Sequence, residues 1–498
     1  MNIRQAKNEI KHTVEAYLKK DEAGDYEIPE IRQRPVLLMG PPGIGKTQIM
    51  EQIARELGVG LVAYTITHHT RQSAVGLPFI REEEFAGKTY SVTEYTMSEI
   101  IASVYRRIRD SGQREGILFI DEINCVSETL APTMLQFLQC KTFGNQKIPE
   151  GWVIVAAGNP PEYNKSVRDF DMVTLDRVRY MTVEADYRVW KEYARAQHIS
   201  GAILSDLEHR PGNFYRVEAD VDGMQFVTAR GWEDLSNLMA VYEKLGFLVD
   251  EQVIREYIHH ADVAEDVAAY LDLYRKYQDD YGIPQILDGC VRPEIYARIY
   301  AAAFDERLSV VHLLLDGLAA FFGRAASERA LTDAWYAFLK EYRRQVETAA
   351  DPAECYRTLV AEREQEMLRQ IANDAYTREE AKREKLLMEK LKAAQQEVTK
   401  DSAQRCFEAA KVGFDRQREV LVQTEEAAGA ALEHAFDFME QAFENGEEMV
   451  VFVTELTITS ESARFLSEHT CERYLTYNKQ LLIGTRRAEL LSELRRDN

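Results

Sequence analysis

Eight residues constrain this chain more than any others: Gly40-Pro41-Pro42-Gly43-Ile44-Gly45-Lys46-Thr47 satisfy the spacing G-x-x-x-x-G-K-[ST]. They follow an apolar run, Pro35 to Met39, and precede a helix-like stretch opening near Gln48. A strand, a glycine-rich turn and a helix in that order let backbone N–H groups converge, and the helix N-terminus adds positive potential at the same point. Phosphate oxygens are the natural guests of such a turn. Lys46 has the reach for the β and γ phosphates of a nucleotide, and Thr47 supplies a hydroxyl for the Mg²⁺ that bridges them. The eight residues Gly40, Pro41, Pro42, Gly43, Ile44, Gly45, Lys46 and Thr47 are therefore the expected ATP-binding loop, with Thr47 also a metal ligand.

The surrounding pattern is that of a parallel sheet covered by helices. Short apolar strands are expected at Pro35 to Met39, Leu61 to Ile66, Gly116 to Ile120, Trp152 to Ala157 and Tyr180 to Val183. Runs this uniformly apolar belong in a sheet buried on both faces. The segment His68 to Ile100 is too long for a simple connection, and Leu77 to Ile80 can pair with Thr89 to Val92 across a turn at Ala86-Gly87. A second hairpin is expected around Phe143-Gly144-Asn145. From Asp186 the pattern turns helical, apart from a loop-like stretch, His209 to Gly223, holding Pro211, Gly212 and Asn213. Beyond Thr377 it becomes charged and helix-favouring, the composition of long exposed helices or an antiparallel coiled pair. The expected fold is an α/β P-loop core with a parallel five-stranded sheet over 1–185, a hairpin inserted near 68–100, a small helical lid over 186–285 and an all-α C-terminal extension over 286–498.

With 498 residues, 45% of them hydrophobic, the chain can bury more than one core. Its formal net charge of −22 would repel a phosphate backbone, which argues against a nucleic-acid partner. The most apolar segment, Val310 to Phe322, is interrupted by His312 and Asp316, so no membrane span is expected. Met1-Asn2-Ile3-Arg4 lacks the apolar segment of a signal peptide. The six cysteines show no C-x-x-C spacing, and the adjacent His68 and His69 would point to opposite faces of a strand. A reduced, cytoplasmic protein with no metal beyond Mg²⁺ is the expectation.

The strand Gly116 to Ile120 ends abruptly in Asp121-Glu122. Carboxylates at a strand end lie where open α/β sheets bind ligands. Asp121 suits the Mg²⁺ shell, and Glu122 suits a base that orients the attacking water. Without the phosphate loop, an acidic helix cap after a strand is the plainer reading. The next strand runs into Gly158-Asn159-Pro160-Pro161. The Asn159 amide is placed to meet the γ-phosphate or the water, although Asn-Pro alone is a turn signal.

Taken together, these residues resemble the AAA+ ATPases, and within them the MoxR-like branch, related to magnesium chelatase subunits and to the dynein and midasin modules. The resemblance spans roughly Ile3 to Ser236. It rests on the phosphate loop, Ile120-Asp121-Glu122-Ile123-Asn124, Ala156-Ala157-Gly158-Asn159-Pro160, Leu175-Asp176-Arg177 and Thr228-Ala229-Arg230-Gly231-Trp232-Glu233-Asp234-Leu235-Ser236. It implies that Asn159 is the first sensor, Arg177 a finger reaching a neighbouring subunit's ATP, and Arg230 the second sensor. Val178-Arg179 stand where phenylalanine often follows the finger, which leaves Arg179 as the other choice. The resemblance further implies a homo-oligomeric ring, expected as a hexamer. Its inserted loops would face the ring axis, with Phe79, Phe85 and Phe143 gripping a protein client, and a partner carrying a von Willebrand A domain is expected. The leading function is ATP-driven remodelling of a protein for maturation or metal insertion. The alternatives are a nucleic-acid translocase and a nucleotide-switched scaffold with little turnover. The residues from Arg324 onward read as helices packed on one another, or as a docking platform for a partner.

Overall fold

A computed structural model describes the chain except for residues 69–73, 75, 144–145, 164–166, 168–169, 221–222, 374, 399–400 and 482–498. The chain divides into two compact units. The first comprises Met1–Trp190, Val227–Gly231 and Ala372–Ala375; the second comprises Lys191–Phe226, Trp232–Ile371 and Tyr376–Asn498.

In the first unit, helix α1 (Ile3–Leu18) starts on a capping box between Asn2 and Gln5. Strand β1 (Val36–Met39) leads through the phosphate loop into helix α2 (Lys46–Leu57) and strand β2 (Gly60–Thr65). The chain continues through a hairpin, β3 (Pro78–Phe85) and β4 (Lys88–Tyr95), to β5 (Gly116–Asp121). A short pair, β6 (Thr142–Phe143) and β7 (Gln146–Lys147), then precedes β8 (Trp152–Gly158) and β9 (Arg179–Thr182). The main sheet is parallel, in the order β2-β5-β8-β1-β9. Its three central strands are buried along nearly their whole length, whereas β2 and β9 at the edges are half open. The apolar runs in the sequence follow from this, because a parallel strand covered on both faces has no solvated side. Leu37, Leu118, Ile120 and Ile154 share a core with Ile100, Val104, Met134 and Phe137 of the flanking helices. Val36, Leu38, Ile117, Phe119 and Val155, on the alternating positions, are equally buried.

The inserted hairpin closes through Ala86 and Gly87, both at positive φ, with Phe85 opposite Lys88. That two-residue turn matches the right-handed twist of the strands it joins. In the smaller pair Phe143 faces Gln146, and Gly144 and Asn145, expected within that hairpin, lie outside the described residues. Phe143 is 2% exposed and stacks on Phe137 at 4.0 Å, so it is a core ring, contrary to the expectation that it would grip a client. His69 also lies outside the described residues.

The second unit is mainly helical. The stretch expected as a loop, 209–223, supplies strand β10 (Arg216–Asp220), which pairs with β11 (Gly223–Val227). The alternation of Val217 and Ala219 with Arg216, Glu218 and Asp220 is short, and it follows directly on the turn residues Pro211, Gly212 and Asn213 that mark the stretch as a loop. Two long helices, Phe304–Val346 and Ala403–Phe443, pack along each other. A distinct core of Trp335, Phe338, Tyr342, Tyr356, Leu387, Leu391 and Phe414 joins their distal halves to the helices Pro352–Ala372 and Arg378–Gln395. The membrane expectation needs one correction: Phe304–Val346 contains an 18-residue window of mean hydropathy 1.4, apolar enough by composition to cross a bilayer, since His312 and Asp316 interrupt it too sparsely. Half of that window is buried, and Val310, Val311, Leu314, Leu318 and Phe322 are core residues of the unit.

Candidate active site

Because β1 lies between β8 and β9, the loop at its carboxyl end opens where the sheet's connections diverge, the usual place for a ligand in such folds. The Gly40 N–H donates to the Gly158 carbonyl at 3.3 Å, which ties the loop's entry to the end of β8. Gly43 has φ +73°, and a Cβ there would lie 2.8 Å from the Thr228 side chain. Both the conformation and the space demand glycine. The Gly43 carbonyl accepts from the Arg230 N–H at 3.1 Å, so Thr228 and Arg230 lie against the loop. Gly45, at φ +92°, is the N-cap of α2, and it offers no side chain to cap that helix. The positive end of the helix dipole therefore lies at the loop, where it suits an anion.

Lys46 is the first residue of α2 and is 8% exposed. Its ammonium donates to the carbonyls of Gly40 and Pro41 and to Asn159 Oδ1, each at 2.8 Å. Burial pushes its pKa down to about 8; the charge of Asp121 opposes the fall, Arg230 adds to it, and Glu122 opposes it more weakly. Thr47 Oγ1 donates to Asp121 Oδ2 at 3.1 Å, and Asp121 Oδ1 accepts from the Glu122 N–H at 2.9 Å. Glu122 leaves the strand in a left-handed conformation, φ +57°, uncommon outside glycine. Its carboxylate accepts from Thr67 Oγ1 at 2.8 Å. Within the loop itself Pro41 and Ile44 are buried.

The fold thus brings Lys46, Thr47, Asp121, Glu122 and Asn159 together at the ends of β1, β5 and β8, with Arg230 beside the loop. Arg177 stands apart and exposed, donating to Gln139 Oε1 at 2.6 Å. Arg179 is held within its own chain, donating to Thr13 Oγ1 at 2.7 Å and to Glu9 Oε2 at 2.6 Å. Two residues enter the site that sequence reading had given no role. Thr67 reaches Glu122 because β2 and β5 align Thr65 with Asp121, a register that no spacing announces. Asn124 stood in the motif Ile120-Asp121-Glu122-Ile123-Asn124, but its bonds to Asn159 required the fold.

Fold and site together define a P-loop domain of the AAA type, and residues 35–178 match the family described as AAA domain (dynein-related subfamily). A stretch of 94 residues is 35% identical to the ATPase family gene 2 protein homolog B of Bos taurus, over 19% of this chain. The match spans a tenth of that relative's length.

Proposed function

We propose that this protein hydrolyses ATP with Mg²⁺ in a homo-oligomeric ring of the MoxR-like kind and uses the cycle to remodel a protein client. The convergence of Lys46, Thr47, Asp121, Glu122 and Asn159 at adjoining strand ends carries the reading. Thr47 Oγ1 and Asp121 Oδ2, 3.1 Å apart, are hard oxygen donors of the kind Mg²⁺ prefers, and they would hold it. When bound, the ion offsets negative charge on the phosphates. Lys46 exchanges its carbonyl partners for phosphate oxygens. Glu122 orients the water and takes its proton, and the Asn159 amide fixes the direction of attack. Arg230 adds positive charge on the loop side.

The ring reading is supported by the exposure of Arg177, next to Met172 and Val173, which are 82% and 54% exposed. Those apolar residues offer a neighbour something to cover, and Arg177 is the arginine with the fewer ties to its own chain. A protein client is favoured over nucleic acid because the inserted hairpin exposes Phe79, Ile80, Phe85 and Tyr90 beside Glu82, Glu83 and Glu84. An acidic hairpin repels phosphates, while its rings and Ile80 suit an unfolded polypeptide.

Steady-state ATP hydrolysis, measured alone, with DNA and with an unfolded protein, tests the proposal. Turnover is expected, with stimulation by the polypeptide. Lys46→Ala should lose nucleotide binding, and Glu122→Gln should bind ATP while turning over on the order of 10² more slowly. Undiminished ATP affinity in Lys46→Ala rejects the loop, and stimulation by DNA alone favours a translocase.

A further inference from the structure

Asn124 lies in the 3₁₀ turn Ile123–Cys125, directly after the acidic pair, and is 3% exposed. Its side chain grips one residue by both backbone groups. Nδ2–H donates to the Asn159 carbonyl at 2.8 Å, and Oδ1 accepts from the Asn159 N–H at 3.3 Å. A primary amide is the neutral side chain that presents a donor and an acceptor side by side, and asparagine carries it on the shorter stem. The gripped residue in turn offers its own Oδ1 to Lys46 at 2.8 Å. A chain of contacts therefore runs from the turn bearing Asp121 and Glu122, through Asn124, to the residue that touches the phosphate-loop lysine. The clamp is tight as well as specific: a Cβ on Gly158 would lie 2.5 Å from Asn124 Oδ1 and 2.9 Å from Met39 Sδ. Any side chain there would push Asn124 off Asn159.

We propose that Asn124 is a positioning residue for hydrolysis, holding the Asn159 amide in register with Glu122 so that the groups facing the attacking water are set as one unit. The inference rests on the ATPase reading of the site. Both polar atoms of the Asn124 side chain are taken by the Asn159 backbone. Loss of Asn124 should therefore lower turnover while leaving nucleotide affinity nearly intact. For Asn124→Ala the expected fall in kcat is about 10²-fold, the scale of an ångström-sized misplacement of a reacting group. KM for ATP and Kd for a fluorescent ADP analogue should stay near wild type, with a single thermal unfolding transition. Asn124→Asp keeps the acceptor for the Asn159 N–H but sets a carboxylate oxygen against the Asn159 carbonyl, so it should fall alongside Asn124→Ala.

Gly158→Ala approaches the clamp from the other side. Alone it should lower kcat as Asn124→Ala does, and in the Asn124→Ala background it should add little, because the closer contact, with Asn124 Oδ1, is gone and the remaining one is with the flexible Met39 side chain. Should Asn124→Ala not fold, Asn124→Asp is measured in its place against the same criteria. Wild-type kcat in a folded Asn124 variant overturns the inference, as does a loss of affinity in proportion to turnover, or a full additional cost of Gly158→Ala in the double variant. A wild-type protein that hydrolyses no ATP overturns instead the reading on which the inference stands.

Discussion

The Lys46 ammonium is bonded to two backbone carbonyls and to Asn159, in a setting dry enough to pull its pKa down to about 8. The folded-state value lies below the ordinary 10.5, so the unfolded chain holds the proton more firmly. Between those two values the unfolded state binds more protons, and the lysine's unfavourable contribution to stability, full below about pH 8, is relieved as pH rises. Nucleotide binding has the opposite dependence. Phosphate oxygens favour the ammonium form, so each bound nucleotide should draw a proton onto Lys46 above pH 8. Affinity should then fall up to about tenfold between pH 8 and 9, with proton uptake visible by calorimetry in buffers of different ionisation enthalpy. Lys46→Arg keeps its charge throughout that range. It should bind more weakly but without the slope; an unchanged slope in that variant would assign the titration to another group.

Among the elements, β1 has the most demanding position, between β8 and β9 with all four residues buried and the phosphate loop at its end. Leu38→Ala should cost about 2–5 kcal/mol, read by urea unfolding, since a packed core collapses only partly around the missing atoms. A loss below about 1 kcal/mol would mean that β1 does not sit in the tightly packed centre of the sheet. The three central strands of the main sheet were legible because burial on both faces leaves an apolar run, the edge strands β2 and β9 through β-favouring residues such as Val62, Tyr64, Tyr180 and Thr182, and the hairpin because Ala86-Gly87 interrupts two β-rich segments. Strand β10 was not legible, since its brief alternation follows the turn residues Pro211-Gly212-Asn213 and Arg216 to Ala219 are half-buried or exposed, so the strand owes its form to pairing with β11. The same division holds in the site. Lys46, Thr47, Asp121, Glu122 and Asn159 sit at strand ends and turns that local spacing marks. Thr67 and Asn124 matter through partners 55 and 35 residues away, which only the strand register brings near.

At the scale of the whole molecule the question is whether one chain holds a complete site. The described cluster supplies a lysine, an acidic pair and an asparagine amide, while the exposed Arg177 donates to Gln139. If Arg177 completes the site of a neighbour, each interface joins one chain's Glu122 to the next chain's Arg177. Arg177→Ala should then bind ATP normally and hydrolyse it about 10³ to 10⁵ times more slowly, the usual effect of losing an arginine at the transferring phosphoryl group. Glu122→Gln should be slow for its own reason. Mixing the two places intact Glu122 against intact Arg177 at roughly a quarter of head-to-tail interfaces in an equal, random assembly. Hydrolysis should therefore return when the two inactive preparations exchange subunits. Arg179→Ala should show no such rescue, because its guanidinium serves Glu9 and Thr13 of its own chain and its loss loosens β9 from α1 in every subunit alike. Mixed assemblies that form but stay at background would reject a shared site; rescue by the Arg179 variant instead would transfer the role from Arg177 to Arg179.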